Sequence, residues 1–158
     1  MQDGHVRALT FDLYETGAIV RYIDDAFPGC KLQPADTKAR AKVNQIVGIL
    51  EAYAYRTLVW DIYVERVVSA RGGRPADEHR IAAALPHAAV CLTELTRLSD
   101  DQGFLVGGSV TLADLYAAPI FACFMQTPEA TSLMDGCEKL IYWWQRFATR
   151  DSMLRTQP

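Results

Sequence analysis

The side chains best able to bind a metal ion or act as nucleophiles are few and widely separated in this sequence. It contains four cysteines and three histidines, which are Cys30, Cys91, Cys123 and Cys137, and His5, His79 and His87. No two cysteines have CxxC spacing, and no two histidines have the HxxxH or HExxH spacing of common zinc sites. The sequence therefore predicts no metal site and no disulfide framework. We interpret the cysteines as reduced thiols, with Cys30 the most exposed.

Glu15 and Thr16 begin the first predicted helix. Apolar residues recur behind them at helical spacing, and the Pro-Gly pair that opens residues 28–36 ends the pattern. Residues 28–36 contain two prolines and are predicted to be a linker. Before the helix, the partial alternation of apolar and polar residues over 5–14 predicts a short strand or hairpin.

A very long helix is predicted from Thr37 to beyond Ser69, a stretch without proline. Asp36 or Thr37 is suited to cap its start, and Gly72-Gly73 to end it. Apolar residues recur along it with the i, i+3, i+4, i+7 spacing of a core-facing stripe. The stripe comprises Val43, Ile46, Val47, Leu50, Tyr53, Ala54, Thr57 and Leu58.

Further helices follow the long one. They are predicted over Asp77–Leu98, Thr111–Met125 and Glu138–Phe147, with a short helical turn over 131–135. Pro86 lies inside the first of them and predicts a kink or a loosened turn. Arg56 and Asp61, in the long helix, are interpreted as solvated charges and not as partners of each other.

Thr111 and Asp114 have the spacing of a capping box at a helix start. The Thr111 hydroxyl can accept the N–H of Asp114, and the Asp114 carboxylate can accept the N–H of Thr111. The negative charge also suits the positive end of the helix. We predict that both residues hold this helix in place and do no chemistry.

Composition and charge exclude several classes of protein. The chain has 158 residues, 50% of them hydrophobic, and a formal net charge of -3. A chain of this length can build its own core, and its acidic balance argues against an electrostatic nucleic-acid binder. No apolar run reaches the ~18 residues of a membrane span, and the start does not resemble a signal peptide. We therefore expect a cytoplasmic protein that binds neither nucleic acid nor membrane.

Two segments resemble signatures of the glutathione transferase family. Phe104-Leu105-Val106-Gly107, with residues 109–115 and Ala118-Pro119 behind it, resembles a signature of the family's C-terminal helical domain. Residues 13–23 resemble the family segment in which a Glu-Ser/Thr pair begins a helix. The two segments occur in the family's order, and the resemblance extends from about Val6 to Met153.

The resemblance implies a mainly α fold, a glutathione transferase helical bundle preceded by a truncated thioredoxin-like fragment. That fragment, a short strand or hairpin plus one helix, would cover residues 1–27. The linker over 28–36 and the all-α domain over 37–158 would follow. Relatives are usually dimers through the two helices that begin here near Thr37 and Asp77, so we expect a homodimer.

The family's Glu-Ser/Thr pair binds the γ-glutamyl end of glutathione, which makes Glu15 and Thr16 the binding candidates here. A hydroxyl and free N–H groups at a helix start suit a carboxylate, and a glutamate can take an ammonium. Val6, the first matched position, is a third candidate. The pocket for the second substrate would draw on aromatic residues, for which core or interface packing is the alternative interpretation. These are Tyr53, Tyr55, Trp60, Tyr63 and Tyr116.

Two departures from the family bear on activity. Its thiol-activating residue lies in a β-α-β unit that needs about 30 residues, whereas five residues precede Val6 here. Arg7 stands where relatives have a cis-proline. The resemblance implies glutathione conjugation, and these departures predict that it is lost, with no catalytic residue in this sequence and no cofactor besides glutathione as a ligand or co-substrate. The alternative function is a non-catalytic dimerising module with a degraded glutathione site.

Overall fold

The computed structural model describes residues 11–156, which are mainly helical and contain no strand. The mainly α fold is therefore confirmed. The strand predicted over 5–14 lies mostly outside the described residues, and 11–14 have no regular structure. The elements are α1 (Thr16–Ala26), α2 (Thr37–Ile49), a π-helical segment (Leu50–Val68), α3 (Ser69–Arg71), α4 (Glu78–Leu98), α5 (Leu112–Phe124), α6 (Glu129–Leu133), α7 (Glu138–Phe147) and α8 (Asp151–Leu154).

A single long helix over residues 37–71 consists of α2, the π-helical segment and α3. Asp36 caps its start, because its carboxylate accepts the N–H of Ala39 at 2.8 Å. Gly73 lies just past its end with a φ of 71°, a conformation that favours glycine. Both ends agree with the sequence prediction, which left Asp36 and Thr37 open as caps.

The middle of the long helix has wider turns than the sequence pattern assumed. The N–H of Ser69 donates to the carbonyl of Val64, five residues earlier, as in a π-helix. The buried residues of this part recur every four positions, as in Leu50, Ala54, Leu58 and Ile62. Tyr53 falls off that line and is 62% exposed. Its assignment to the buried stripe was wrong for this reason, whereas the other members of the stripe are buried.

The core lies between the long helix and the helices α4, α5 and α7 that pack around it. Its largest fully buried side chains include Trp143, Phe121 and Phe124. The rings of Phe121 and Trp143 meet edge to face with centroids 5.1 Å apart, an arrangement that favours aromatic pairs. The bundle therefore fixes α5 and α7 against each other.

Asp61 forms ion pairs with two arginines and is largely shielded from solvent. Its carboxylate accepts from Arg56 Nε at 3.1 Å and from Arg80 Nε at 2.7 Å, and its side chain is 18% exposed. Arg80 also donates to the buried Glu65 at 3.0 Å. The interpretation as solvated charges was wrong for Asp61, because Arg80 comes from α4, a contact that sequence spacing does not reveal; Arg56 pairs with Asp61, but its side chain is 69% exposed. These ion pairs tie α4 to the long helix.

The structure also tests two predictions about single helices. The helix α4 continues through Pro86 without a break, although proline lacks the N–H of one helical bond. The short helical turn expected over 131–135 occurs slightly earlier, as α6.

The buried Asp24 fixes α1 to the rest of the molecule. Its carboxylate accepts the backbone N–H of Leu32 at 2.7 Å and that of Gln33 at 3.1 Å. The carbonyl of Leu32 in turn accepts the N–H of Leu112 at the start of α5, at 3.2 Å. Non-helical residues 28–36 thus set the distance between α1 and α5, and a cleft opens between them. Within residues 11–156, no helix combines the length and the apolar character that a membrane crossing requires.

Candidate functional site

The cleft between α1, the long helix and α5 has a volume of about 1190 Å³. Its walls are largely apolar, with Ile23 and Phe27 from α1 and its end, and Leu115 and Pro119 from α5. Polar groups gather at one end, where α1 begins. An apolar cleft of this size with a few polar groups at one end is typical of a small-molecule site.

Glu15 and Thr16 both line the cleft at this polar end. Glu15 has φ 71° and ψ 121°, a backbone conformation that residues other than glycine rarely adopt. Such strain costs about 1–3 kcal/mol and is concentrated at binding and catalytic sites. The Glu15 carbonyl accepts the N–H groups of Ala18 and Ile19, both at 3.0 Å, so the strained residue starts the helix. Thr16 follows as its first residue, where backbone N–H groups have no acceptor within the helix.

Glu51 reaches from the long helix to the first turn of α1. A β-carbon built on Gly17 would lie 2.9 Å from Glu51 Oε1 and 2.8 Å from Arg21 Nη1, so both charged groups lie against this glycine. Arg21 donates to the Gly17 carbonyl at 2.8 Å and to Asn44 Oδ1 at 3.3 Å. The polar end of the cleft therefore carries the carboxylates of Glu15 and Glu51, and one guanidinium that is already engaged.

Tyr116, on α5, lines the same cleft, and its side chain ends in a hydroxyl. That hydroxyl is buried and has no hydrogen-bond partner among the described residues. The Glu51 carboxylate lies next to it and interacts with it. Burial and the charge of Glu51 raise the pKa of Tyr116 to about 12. The phenol is therefore a neutral O–H donor at physiological pH.

The structure brings some of the predicted site residues together and separates others. Tyr55 and Tyr116 line the cleft with Glu15 and Thr16. Tyr53 lines a second groove of about 440 Å³ between the long helix and α4, Tyr63 lies in the core, and Trp60 is half exposed and lines neither cavity. Val6 lies outside the described residues. Gly17, Arg21 and Glu51 were not among the predicted site residues, because a side chain 34 positions away shows no local pattern with Gly17.

The cysteines of the described residues are all free thiols. Cys30 is exposed, as expected, and lines the cleft. Burial raises the pKa of the Cys91 and Cys123 thiols, which keeps both protonated and unreactive.

Asp114, in contrast, lies in the interior beside the cleft. Its carboxylate accepts the Thr111 N–H at 2.8 Å, which is the bond a capping box requires, and the Thr111 hydroxyl at 2.9 Å. It also accepts the N–H of Leu105 at 2.9 Å and Nε1 of Trp143 at 2.8 Å. The carboxylate is fully buried and joins the start of α5 to the preceding loop and to α7.

Comparison with known proteins shows the family of the chain. The model of the family "Glutathione S-transferase, C-terminal domain" matches residues 59–151, more than half of the chain. This chain belongs to that family. The matched residues include about the last third of the long helix, the capping box of α5 and the whole of α7. No curated protein sequence matches the chain.

Solved glutathione S-transferases share the fold. Glutathione S-transferase III in its apo form has a TM-score of 0.78 and 24% identity, over 92% of this chain and 68% of that one. The apo form of human glutathione-S-transferase T1-1 has a TM-score of 0.71 and 24% identity, over 92% of this chain and 62% of that one. The enzyme from Rhodospirillum rubrum F11 has a TM-score of 0.71 and 21% identity, over 94% and 66%. The chain thus spans about two thirds of the length of these proteins.

Proposed function

We propose that this member of the glutathione S-transferase family binds glutathione at the polar end of the cleft, through Glu15 and Thr16. The observation that supports this proposal most strongly is the strained backbone of Glu15. Glu15 and the free start of α1 line a large apolar cleft. Strain of this kind is retained where surrounding structure and function require it. The apolar part of the cleft, with Tyr55 and Tyr116, would hold a second molecule.

The γ-glutamyl end of glutathione carries a carboxylate and an ammonium, and the polar end suits both. The carboxylate would accept the N–H and hydroxyl of Thr16, since a helix start favours an anion. The ammonium would meet the Glu15 carboxylate, with Glu51 nearby as a second negative charge. Val6 remains a candidate by resemblance for contact with the peptide part of glutathione.

Charges around the cleft disfavour a glutathione thiolate. Arg21 is the only cation among the described residues that line the cleft, and it is engaged by Gly17 and Asn44, so none is free to stabilise a thiolate. We therefore favour a binding protein that conjugates glutathione weakly or not at all. Conjugation is the second candidate, supported by family membership. A steady-state assay with a generic electrophile separates them, because turnover within about tenfold of a conjugating family member would contradict the binding-only proposal.

Calorimetric titration with glutathione tests the binding site itself. We expect the wild type to bind and Thr16→Val to bind about tenfold more weakly or worse, because a hydrogen bond to a charged group contributes about 1.5–3 kcal/mol. Thr131→Val, at an exposed threonine of α6, is the matched control and should bind like the wild type. No heat of binding in the wild type, or equal affinity of Thr16→Val, would refute the proposal.

A homodimer forms the second part of the proposal. Tyr53 and Val90, which are 62% and 64% exposed, line the groove between the long helix and α4. Exposed apolar side chains around a groove favour association with a partner. We expect the wild type to sediment as a dimer and Val90→Asp as a monomer, with Leu154→Asp, at an exposed leucine of α8, still dimeric. A monomeric wild type would contradict this part.

A cytoplasmic location completes the proposal. All four cysteines are free thiols, including the exposed Cys30. Free thiols of this kind suit a reducing compartment.

A further inference from the structure

The apolar face of α1 points away from the bundle. Val20 packs against the core, and Asp24, four residues later, is buried. Ile19, Tyr22 and Ile23 lie on a different face, at i, i+3 and i+4, and are between 37% and 51% exposed. A surface helix usually turns its apolar stripe towards the core. The reversed orientation of α1 therefore indicates that its outer face has another contact.

Two phenylalanine rings extend this outer face beyond the helix. The ring centroid of Phe11 lies 5.3 Å from that of Tyr22, and the ring centroid of Phe27 lies 6.3 Å from it. Both phenylalanines are more than half exposed although they contact Tyr22. These two rings and the three helix residues form one continuous surface. We call Phe11, Ile19, Tyr22, Ile23 and Phe27 the α1 patch.

The size of the α1 patch suits a weak protein–protein contact. Its five side chains expose about half of their surface on average, which at roughly 200 Å² for a large apolar side chain amounts to roughly 500 Å². The largest apolar patch of a typical monomer covers about 300–600 Å² and is often functional. Two copies of the α1 patch would bury roughly 1,000 Å² together, at the lower limit of specific interfaces and within the range of transient ones.

Charges at the two ends of the α1 patch suit an antiparallel pair. Asp12 and Glu15 precede α1, whereas Lys31 follows it and donates to carbonyls at the end of the helix. Asp25, near the same end, already accepts a hydrogen bond from Gln33 at 3.2 Å. In a two-fold contact between antiparallel helices, the acidic end of each copy faces the Lys31 end of the other, and the helix dipoles are antiparallel as well. The patch is therefore complementary to a second copy of itself.

We propose that the α1 patch binds the α1 patch of a second copy of this chain, with the two helices antiparallel around Tyr22. The contact is separate from the groove between the long helix and α4, which Tyr53 and Val90 line. It goes beyond the proposed function and does not depend on glutathione. Because Ile23 and Phe27 also line the cleft, the contact brings the second copy next to the cleft.

Sedimentation at several concentrations tests this contact, and Val90→Asp removes the groove from the measurement. We expect Val90→Asp to be monomeric at about 5 µM and to approach the mass of a dimer at about 300 µM, as a weak contact with a dissociation constant of about 10–100 µM requires. Adding Tyr22→Lys should keep the chain monomeric at both concentrations, because the two new charges face each other across the two-fold axis. Adding Leu154→Lys instead, at an exposed leucine of α8, is the matched control and should leave the association unchanged.

Phe27→Ser is a second test, at a residue just past the end of α1. In the Val90→Asp chain it should weaken the association about tenfold, because apolar area is lost from both copies. A Val90→Asp chain whose mass stays constant up to about 300 µM, or one that associates equally with and without Tyr22→Lys, would overturn the inference. A wild type that is monomeric at about 5 µM and associates through Tyr22 at about 300 µM would retain this inference and contradict the dimer through the groove.

Discussion

Asp114 and Tyr116 lie two residues apart on α5 and have opposite surroundings. Asp114 is fully buried, and its two oxygens accept four hydrogen bonds from the loop, the helix start and α7. The hydroxyl of Tyr116 is also buried and has no partner. One helix therefore satisfies the Asp114 carboxylate completely and leaves the hydroxyl of Tyr116, a residue that lines the cleft, without a partner in good hydrogen-bond geometry. The first arrangement stabilises the fold, whereas the second adds little to its stability.

The same contrast holds for the backbone of the two helix starts. At α5, Thr111 has an ordinary extended conformation and Asp114 closes the helix end. At α1, Glu15 is strained and its side chain makes no cap. A protein keeps strain and unpaired groups where function opposes stability. The stability of variants therefore distinguishes a group that supports the fold from one that does not.

The largest effect is expected from Asp114→Ala. The change removes a buried charge and leaves the N–H groups of Leu105, Thr111 and Trp143 unpaired, which should cost about 3–5 kcal/mol of unfolding free energy. Helix capping alone would cost only about 0.5–2 kcal/mol. Denaturant unfolding is the measurement, and Asp135→Ala, at an exposed position, should change stability by less than about 0.5 kcal/mol. A loss from Asp114→Ala within the capping range would show that the two long-range bonds contribute little.

An intermediate, pH-dependent effect is expected from Asp24, which attaches α1 to the linker. Burial raises the pKa of this carboxyl, but the N–H groups of Leu32 and Gln33 and the charge of Lys31 outweigh burial and lower it overall. A carboxyl with a lowered pKa in the folded state stabilises the protein above its unfolded pKa of about 3.9, and this contribution is lost as the pH falls through the folded value.

Thermal melting from pH 7 to pH 2 measures this contribution. Asp24→Asn should be less stable than the wild type by about 1–2 kcal/mol at neutral pH. The difference should begin to shrink below about pH 4, where the unfolded chain binds a proton that folded Asp24 does not yet bind, and it should be lost as the pH falls through the folded pKa. Asp135→Asn should follow the wild-type curve throughout. A constant difference at every pH would mean that the charge of Asp24 does not fix α1.

The smallest effect is expected from Tyr116→Phe. Because its hydroxyl is buried without a partner, removing it should leave stability unchanged within about 0.5 kcal/mol or increase it. A loss above about 1 kcal/mol in the same denaturant experiment would show that the hydroxyl has a structural partner, such as Glu51 after a small movement. Tyr116 would then resemble Asp114, and the contrast between the two sides of α5 would fail.

Local signals predicted much of the fold, whereas long-range contacts escaped them. The cap of Asp36, the helix breaks at glycine and proline, and the spacing of Thr111 and Asp114 all depend on neighbours within four residues. The wide turns that expose Tyr53 have no such signal.

Prediction from local sequence patterns was limited in the same way at the polar end of the cleft. Glu15 and Thr16 were found through their resemblance to a family segment. Glu51, Arg21 and the unpaired hydroxyl of Tyr116 meet only after the long helix, α1 and α5 have packed. Likewise the bond from Trp143 to Asp114 joins residues 29 positions apart. Sequence reasoning therefore found the residues that begin helices, found Tyr55 and Tyr116 only through family resemblance, and missed Arg21 and Glu51.

Backbone amide chemical shifts, recorded during titration with glutathione, test the central claim most directly. If the cleft binds glutathione and the interior of the bundle only stabilises the fold, the amides of Thr16, Gly17 and Glu51 should shift with a common dissociation constant. The amides of Leu105 and Thr111, which are already bonded to Asp114, should stay in place. No shift at the start of α1 at saturating glutathione, or shifts confined to the surroundings of Asp114, would contradict the account.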